Sequence, residues 1–110
     1  MFGPELKKGS VELLVLSMLK DEARHGYQIG KLIEIRSSGR LQFNPATLYP
    51  VLYRMEDRGW ITGTWVEKPG ERRRCFYKLT GKGEKVLVEQ TERWKEYSAA
   101  VNEAIGFGHA

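Results

Sequence analysis

Asn44-Pro45-Ala46-Thr47-Leu48-Tyr49-Pro50-Val51-Leu52-Tyr53-Arg54-Met55-Glu56-Asp57-Arg58-Gly59 is the segment with the sharpest boundaries in the chain. Asn44 is a strong helix N-cap, and Pro45 takes the first helical position, where its missing N–H costs nothing. Leu48, Val51, Leu52 and Met55 recur at spacings of three and four and so share one face. Gly59 is placed to adopt the left-handed conformation just past the end. Pro50 removes one main-chain hydrogen bond and predicts a bend near the first full turn. With the aliphatic face turned inward, Ala46, Thr47, Pro50 and Arg54 are left on the other side.

Two helical patterns precede this segment. Ser10 is a candidate cap for the first, whose apolar residues Val11, Leu14 and Met18, with Leu13 and Leu16, form a stripe wide enough to bury on more than one side. Lys20-Asp21-Glu22 ends it. His25-Gly26 opens the second, with Tyr27, Ile29, Leu32, Ile33 and Ile35 as its apolar face, and Ser37-Ser38-Gly39 stops it after Arg36. His25 reads as a structural residue that caps or fills this bend.

Downstream, Trp60–Val66 and Arg73–Leu79 are rich in aromatic and branched residues. They are joined by Glu67-Lys68-Pro69-Gly70-Glu71-Arg72, in which Pro-Gly signals a turn, so the pair reads as a hairpin with a basic tip. In the second run Cys75, Tyr77 and Leu79 alternate with Arg74, Phe76 and Lys78. Alternation alone leaves open which set faces inward. Thr80 then caps a last helix to about Ile105. Along it Leu87, Gln90, Trp94, Tyr97, Val101 and Ala104 form a heptad seam. A helix roughly 39 Å long exceeds what so small a core can cover, and a second copy of the chain about a two-fold axis is the economical partner. The tail Gly106-Phe107-Gly108-His109-Ala110 is expected to fray.

The order helix, helix, capped helix, hairpin, helix predicts a mainly α fold with a small β-hairpin: a winged helix-turn-helix over residues 1–79, followed by a C-terminal dimerisation helix over 80–110. A length of 110 residues suits one domain. The composition, 41% hydrophobic and 29% charged, is that of a globular chain rather than a disordered one. Charge is unevenly placed. Residues 67–85 carry seven basic and three acidic groups, whereas residues 86–110 carry two and four, within an overall charge of +4. A concentrated basic feature steers a polyanion better than the same charge spread out. The apolar run Val11–Leu19 is broken by Glu12 and Ser17 and falls far short of the ~20 residues that span a bilayer. The start MFGPELKKGS lacks the order of a signal peptide. A cytoplasmic protein without a membrane role is expected, and the single cysteine, Cys75, fits a reducing compartment.

His25-Gly26-Tyr27-Gln28-Ile29, Leu48-Tyr49-Pro50-Val51-Leu52-Tyr53-Arg54-Met55-Glu56, Gly59-Trp60-Ile61 and Tyr77-Lys78-Leu79-Thr80-Gly81-Lys82-Gly83 together resemble the PadR-type winged-helix transcriptional regulators. The resemblance runs in consistent order from about Ser10 to Val88. With one long helix after the wing, the chain is similar to the small subgroup that includes multidrug-responsive repressors with a flat aromatic pocket at the dimer interface. This implies a homodimer that binds operator DNA, a repressor in the main, released by small molecules such as phenolic acids or drugs. Gly81 and Gly83 depart from the family pattern, which more often has helix-forming acidic residues there. They predict a loose start to the last helix.

In this setting the third helix is the candidate reader. Ala46 and Thr47 are placed for a thymine methyl or a base acceptor, and Asn44 with the helix N-terminus for a phosphate. Tyr49 and Tyr53 lie on the flank, where a phenol can donate to phosphate, although Tyr49 reads first as packing. Arg54 has two readings, a phosphate contact or an ion pair with Glu34 or Asp57. In the wing, Lys68, Arg72, Arg73 and Arg74 are candidates for the minor groove or its phosphates; a charge run alone is ordinarily a solvated face. Trp94 and Tyr97 read first as dimer core, and second as walls of a slot for a planar apolar effector lined also by Leu13, Leu14, Ser17 and Met18. No catalytic residue, cofactor or metal is expected, since His25, Cys75 and His109 lack ligand spacing and no acid–base pair or phosphate loop is present. The rival readings are a winged-helix module that binds protein rather than DNA, a small enzyme, and an RNA binder, which lacks an exposed aromatic sheet.

Overall fold

The computed structural model describes residues 2–3, 6–7 and 9–108. Readings that fall on Met1, Pro4, Glu5 and Lys8 of the N-terminal segment, and on His109 and Ala110 of the tail, lie outside the described residues. Helices α1 (Val11–Met18), α2 (Gly26–Arg36), α3 (Pro45–Asp57) and α4 (Gly81–Ile105) are combined with strands β1 (Arg24–His25), β2 (Ile61–Val66) and β3 (Arg74–Leu79) in the order α1-β1-α2-α3-β2-β3-α4. The strands form one antiparallel sheet in the order β1-β3-β2. This is a winged helix-turn-helix with a long C-terminal helix.

The caps of α3 and α4 follow from their sequence. The Asn44 side chain accepts from the Thr47 N–H at 3.0 Å, Gly59 has φ +76°, and the Thr80 hydroxyl accepts from the Gly83 N–H at 3.0 Å. The helix α3 runs unbroken through Pro50, which leaves the Ala46 carbonyl without its intrahelical donor. Ser10 occupies the cap position of α1 but makes no capping bond. Its hydroxyl instead donates backward to the Leu6 and Lys7 carbonyls.

Side chains from every layer meet in one core. Val15 and Leu16 of α1, Ile29 and Ile33 of α2, Leu52 and Met55 of α3, and Ile61 of β2 are almost fully buried, each worth about 1.5–3 kcal/mol of transfer free energy. Two residues assigned to the apolar face of α2 are excluded from it. Tyr27 is 70% and Ile35 63% exposed, because at about 100° per residue both fall far round the helix from Ile29 and Ile33. In β3, Tyr77 is buried with Cys75 and Leu79 beside it, so this set faces inward and Arg74 and Lys78 face out.

The third strand, β1, is a correction to the two-stranded hairpin. It is two residues long, too short for alternation to reveal, and pairs Arg24 with Tyr77 and His25 with Phe76. The wing turns at Lys68-Pro69-Gly70-Glu71, where the Glu71 N–H donates to the Lys68 carbonyl at 3.0 Å. Gly70 has φ +77°, as the third position of a type II turn requires.

The start of α4 is not loose. A Cβ on Gly83 would fall on the carbonyl oxygen of Trp60, so glycine here permits the helix to lie directly on the chain entering β2. The Thr80 N–H donates to the Trp60 carbonyl at 3.0 Å, and its hydroxyl donates to the Gly59 carbonyl at 2.6 Å. Beyond Thr91, α4 is almost wholly exposed and contributes to a longest dimension of 58 Å. The tail is not frayed at its beginning. Gly106 closes the helix at φ +77°, and the Phe107 N–H donates to the Asn102 carbonyl at 2.9 Å, a Schellman-type end.

Candidate nucleic-acid interface

Four apolar side chains of α3 are committed to the core, so its other face is free. Ala46, Thr47, Pro50, Tyr53 and Arg54 are all exposed. At about 100° per residue, Ala46, Pro50 and Tyr53 form the middle of that face, and Thr47 with Arg54 form one edge. Tyr53, 56% exposed, is therefore more central than its assignment to the flank suggested. Arg54 makes neither ion pair considered for it. Among the described residues Glu34 pairs instead with Lys31 at 3.5 Å, and Asp57 has no ion pair.

Tyr49 has a packing role. A Cβ on Gly26 would lie 2.8 Å from its ring and its hydroxyl oxygen, so Gly26 lets the phenol lie against the first turn of α2. Tyr53 follows one turn later, with ring centroids 6.1 Å apart. The two tyrosines form one wall of a groove of about 1060 Å³. The first turn of α3 (Asn44, Pro45), the exposed side of α2 (Tyr27, Lys31) and the wing (Trp65 and Arg72 to Arg74) complete it. The groove thus gathers Asn44, Tyr49, Tyr53, Arg72, Arg73 and Arg74. Ala46, Thr47 and Arg54 lie outside it on α3, and Lys68 lines a smaller adjoining hollow of about 250 Å³.

The wing arginines are not equivalent. Arg73 is held by Glu67 at 3.2 Å and lies over the Trp65 ring at 4.5 Å. Arg72 has no ion-pair partner among the described residues. Arg74 points back toward α2, where its guanidinium is 2.8 Å from His25 Nε2. The wing is tied to α3 from the other side, since Glu56 accepts from the Gly63 N–H at 3.2 Å.

Tyr27, Lys31, Lys7 and Trp65 belong to this surface although the motif reading did not single them out. Tyr27 was legible in principle: its position relative to Ile29 and Ile33 already places it off the buried stripe. Lys7 and Trp65 carry no local signal, because only the fold brings them to the groove. No group of three metal-ligating side chains occurs among the described residues.

A family model described as transcriptional regulator PadR-like matches residues 15–89, a span that holds α3, the wing and the root of α4. The chain belongs to the PadR-like family of transcriptional regulators. Such proteins are regulators and not enzymes. A transcriptional regulator from Clostridium thermocellum is 28% identical, with TM-score 0.85 over 94% of this chain and 97% of that one. The transcriptional regulator YqjI of Escherichia coli is 30% identical over 80% of this chain, which spans 37% of that longer protein. Bacillus subtilis PadR, solved in complex with operator DNA, shares the fold at TM-score 0.67 and 21% identity, over 74% of this chain and 46% of that one. No described helix is long and apolar enough to cross a membrane.

The seam residues of α4 divide into two groups. Leu87 is buried in the single chain's own core and Gln90 is half-buried, while Trp94 and Tyr97 are 47% and 66% exposed. Val101 and Ala104 are exposed as well. Of the α1 residues considered for an effector slot, Met18 is buried in the core, and Leu13, Leu14 and Ser17 are half-buried.

Proposed function

We propose that this PadR-like regulator is a cytoplasmic homodimer that binds pseudo-palindromic operator DNA. In this reading the exposed face of α3 enters the major groove. Ala46 and Thr47 lie at base edges, and Asn44, Tyr53 and Arg54 lie at phosphates. The wing residues Lys68, Arg72, Arg73 and Arg74 approach the neighbouring minor groove. The observation that carries it is the union of an unpacked, capped helix face with a groove that collects Lys7, Lys31 and three wing arginines. A solvated charge run would account for the arginines alone. It does not account for Tyr27, Tyr53 and Trp65 being exposed beside them. The operator complex of the B. subtilis relative adds support from the shared fold.

The dimerisation segment is residues 80–110, and the dimer rests on α4 within it. At about 100° per residue, the side of α4 that buries Gly83 and Leu87 continues as Gln90, Trp94, Tyr97, Val101 and Ile105 after the body ends. A face built like a core and left uncovered calls for a copy of itself, and two-fold symmetry would hold the readers ~34–36 Å apart, one turn of the duplex. Two Trp94 rings facing across the axis, with Tyr97 and the half-buried Leu13, Leu14 and Ser17, would leave a slot for a planar aromatic molecule. Such an effector releases a repressor only to the extent that it prefers the released arrangement.

The test is a mobility shift on the duplex upstream of the protein's own coding sequence over a salt series, with sedimentation of wild type and of Trp94→Ser/Tyr97→Ser. Binding that weakens steeply with salt, and a dimer lost in the variant, are expected. No retardation at low salt, or a stable single subunit at micromolar concentration, refutes the proposal. Quenching of tryptophan fluorescence by planar aromatics tests the slot.

A further inference from the structure

His25 ends β1 and caps α2, and it is 8% exposed. Its ring meets donors at both ends. The Gln28 N–H approaches Nδ1 at 3.4 Å, and the Arg74 guanidinium approaches Nε2 at 2.8 Å. Its edge packs on Phe76 with centroids 5.1 Å apart. Phe76 and Arg74 are alternate residues of β3 and project to the same side, so β1 pairing with β3 brings the imidazole between the wing strand and the reading unit. His25, Arg72 and Arg74 also line both the large groove and the smaller hollow, so the His25–Arg74 bridge is the wall between them.

We propose that His25 is a positioning residue for DNA binding: its neutral imidazole holds Arg74, and with it the basic strand of the wing, in the orientation that meets the duplex. This rests on the DNA-binding reading above. A neutral imidazole offers one bare nitrogen, and the shorter contact assigns it to Nε2, which leaves the bond from the His25 backbone N–H to the Gln28 side chain at 3.2 Å as the cap of α2. A proton on Nε2 removes the acceptor and sets two cations face to face. The groups around the ring enforce the same direction. Arg74 faces it from β3; Lys68, Arg72 and the single acid Glu71 share its hollow from the wing tip; Tyr27 stacks on it from α2 at 6.4 Å. Arg24 of β1 is occupied by Glu22 at 3.1 Å. Burial, and then the Arg74 charge, hold the imidazole below its ordinary 6.5, so the bridge is intact at neutral pH and fails on acidification.

Two substitutions separate the ends of the ring. His25→Asn keeps the backbone bond to the Gln28 side chain, adds an acceptor beside the Gln28 N–H and does not reach Arg74. His25→Gln reaches toward Nε2 and does not titrate. On the upstream duplex, H25N should stay folded, lose affinity about tenfold and lower the salt slope by about one unit for each wing engaged, as Arg74→Ala does. The double variant H25N/R74A should be no worse than R74A. H25Q should bind like wild type at neutral pH and lack the wild-type loss of affinity between pH 6.5 and 5. A folded H25N that binds like wild type, additive losses in the double variant, or a wild-type affinity that rises on acidification would each overturn the proposal. The last result would make His25 a direct cationic contact. Failure of the wild type to bind any duplex at low salt overturns the DNA reading itself, and is distinguishable because no variant is then needed.

Discussion

Replacing Arg72 and Arg73 together with alanine tests whether the wing touches DNA, and the structure sets the size of the effect. Each phosphate neutralised contributes about 0.9 to the slope of log affinity against log salt. Arg72 has no acidic partner to release among the described residues, so its loss should remove one full contact. Arg73 has Glu67 at 3.2 Å, with side chains 58% and 74% exposed. An ion pair that exposed is worth about 0–1 kcal/mol, little enough for the guanidinium to exchange it for a phosphate. The slope should therefore fall by about two units for each wing engaged, close to four for a dimer with both wings down. From 50 to 200 mM salt, wild-type affinity should then drop about a hundredfold more than that of the variant. Mobility shift or fluorescence anisotropy across that range reads the slope, and thermal unfolding should be nearly unchanged because both side chains are exposed. Thr47→Ala should behave differently, shifting the preference among operators with little change in slope. A folded double variant with the wild-type slope removes the wing from the interface, and a fall of only two units means one wing per dimer.

Two further predictions concern the scaffold. Gly83→Ala forces a Cβ onto the Trp60 carbonyl, a backbone atom that cannot rotate away, and should cost about 2–4 kcal/mol in denaturant unfolding. Gly81→Ala meets nothing within 4 Å and should be neutral or slightly stabilising; equal losses at both positions would contradict the close approach. Stability should also depend on acid through His25. Its folded value lies below the ordinary 6.5, so the unfolded chain binds the extra proton first. The contribution is whole above about 6.5 and declines as pH falls below it. Melting temperatures from pH 7.5 to 5 should fall more steeply for wild type than for H25Q, and parallel curves would refute the assignment.

The sequence was most legible where chemistry is local. Asn44, Pro45 and Gly59 delimit α3 because caps, a fixed φ and a left-handed residue act within one turn. Lys68-Pro69-Gly70-Glu71 specifies its own turn for the same reason. The errors have a common origin in long-range geometry. Gly83 reads as a weak helix former until Trp60 is seen beneath it. Ser10 reads as a cap until its hydroxyl is found bonded to the preceding turn. Strand β1 is two residues and exists only because β3 offers it an edge. The candidate site divides in the same way: Ala46, Thr47 and Arg54 follow from helical phase, whereas the groove that unites Lys31, Tyr53 and Arg72 is assembled by tertiary packing.

The joint between α3 and α4 bears on how the proposed effector would act. The end of α3, the start of β2 and the root of α4 share three contacts: Thr80 with the Gly59 carbonyl, Thr80 with the Trp60 carbonyl, and the bare Cα of Gly83 against that same carbonyl. None contains a flexible side chain long enough to absorb motion. A tilt of α4 must therefore carry α3 with it rather than bend at the junction. Trp94 lies fourteen residues beyond Thr80, about 21 Å along the helix, so a ring displaced by about 1 Å is a tilt of about 3°. In a dimer that tilt is doubled across the axis and changes the spacing of two readers that must match one duplex turn. A planar molecule inserted between the Trp94 rings would need no contact with α3 to weaken binding; it needs only to prefer the wider crossing. On this geometry, relieving the rigidity of the Thr80 corner, for example with Thr80→Gly, should abolish effector-driven DNA release while effector binding and DNA binding each persist. Full release in that variant would mean the signal travels through α1 instead.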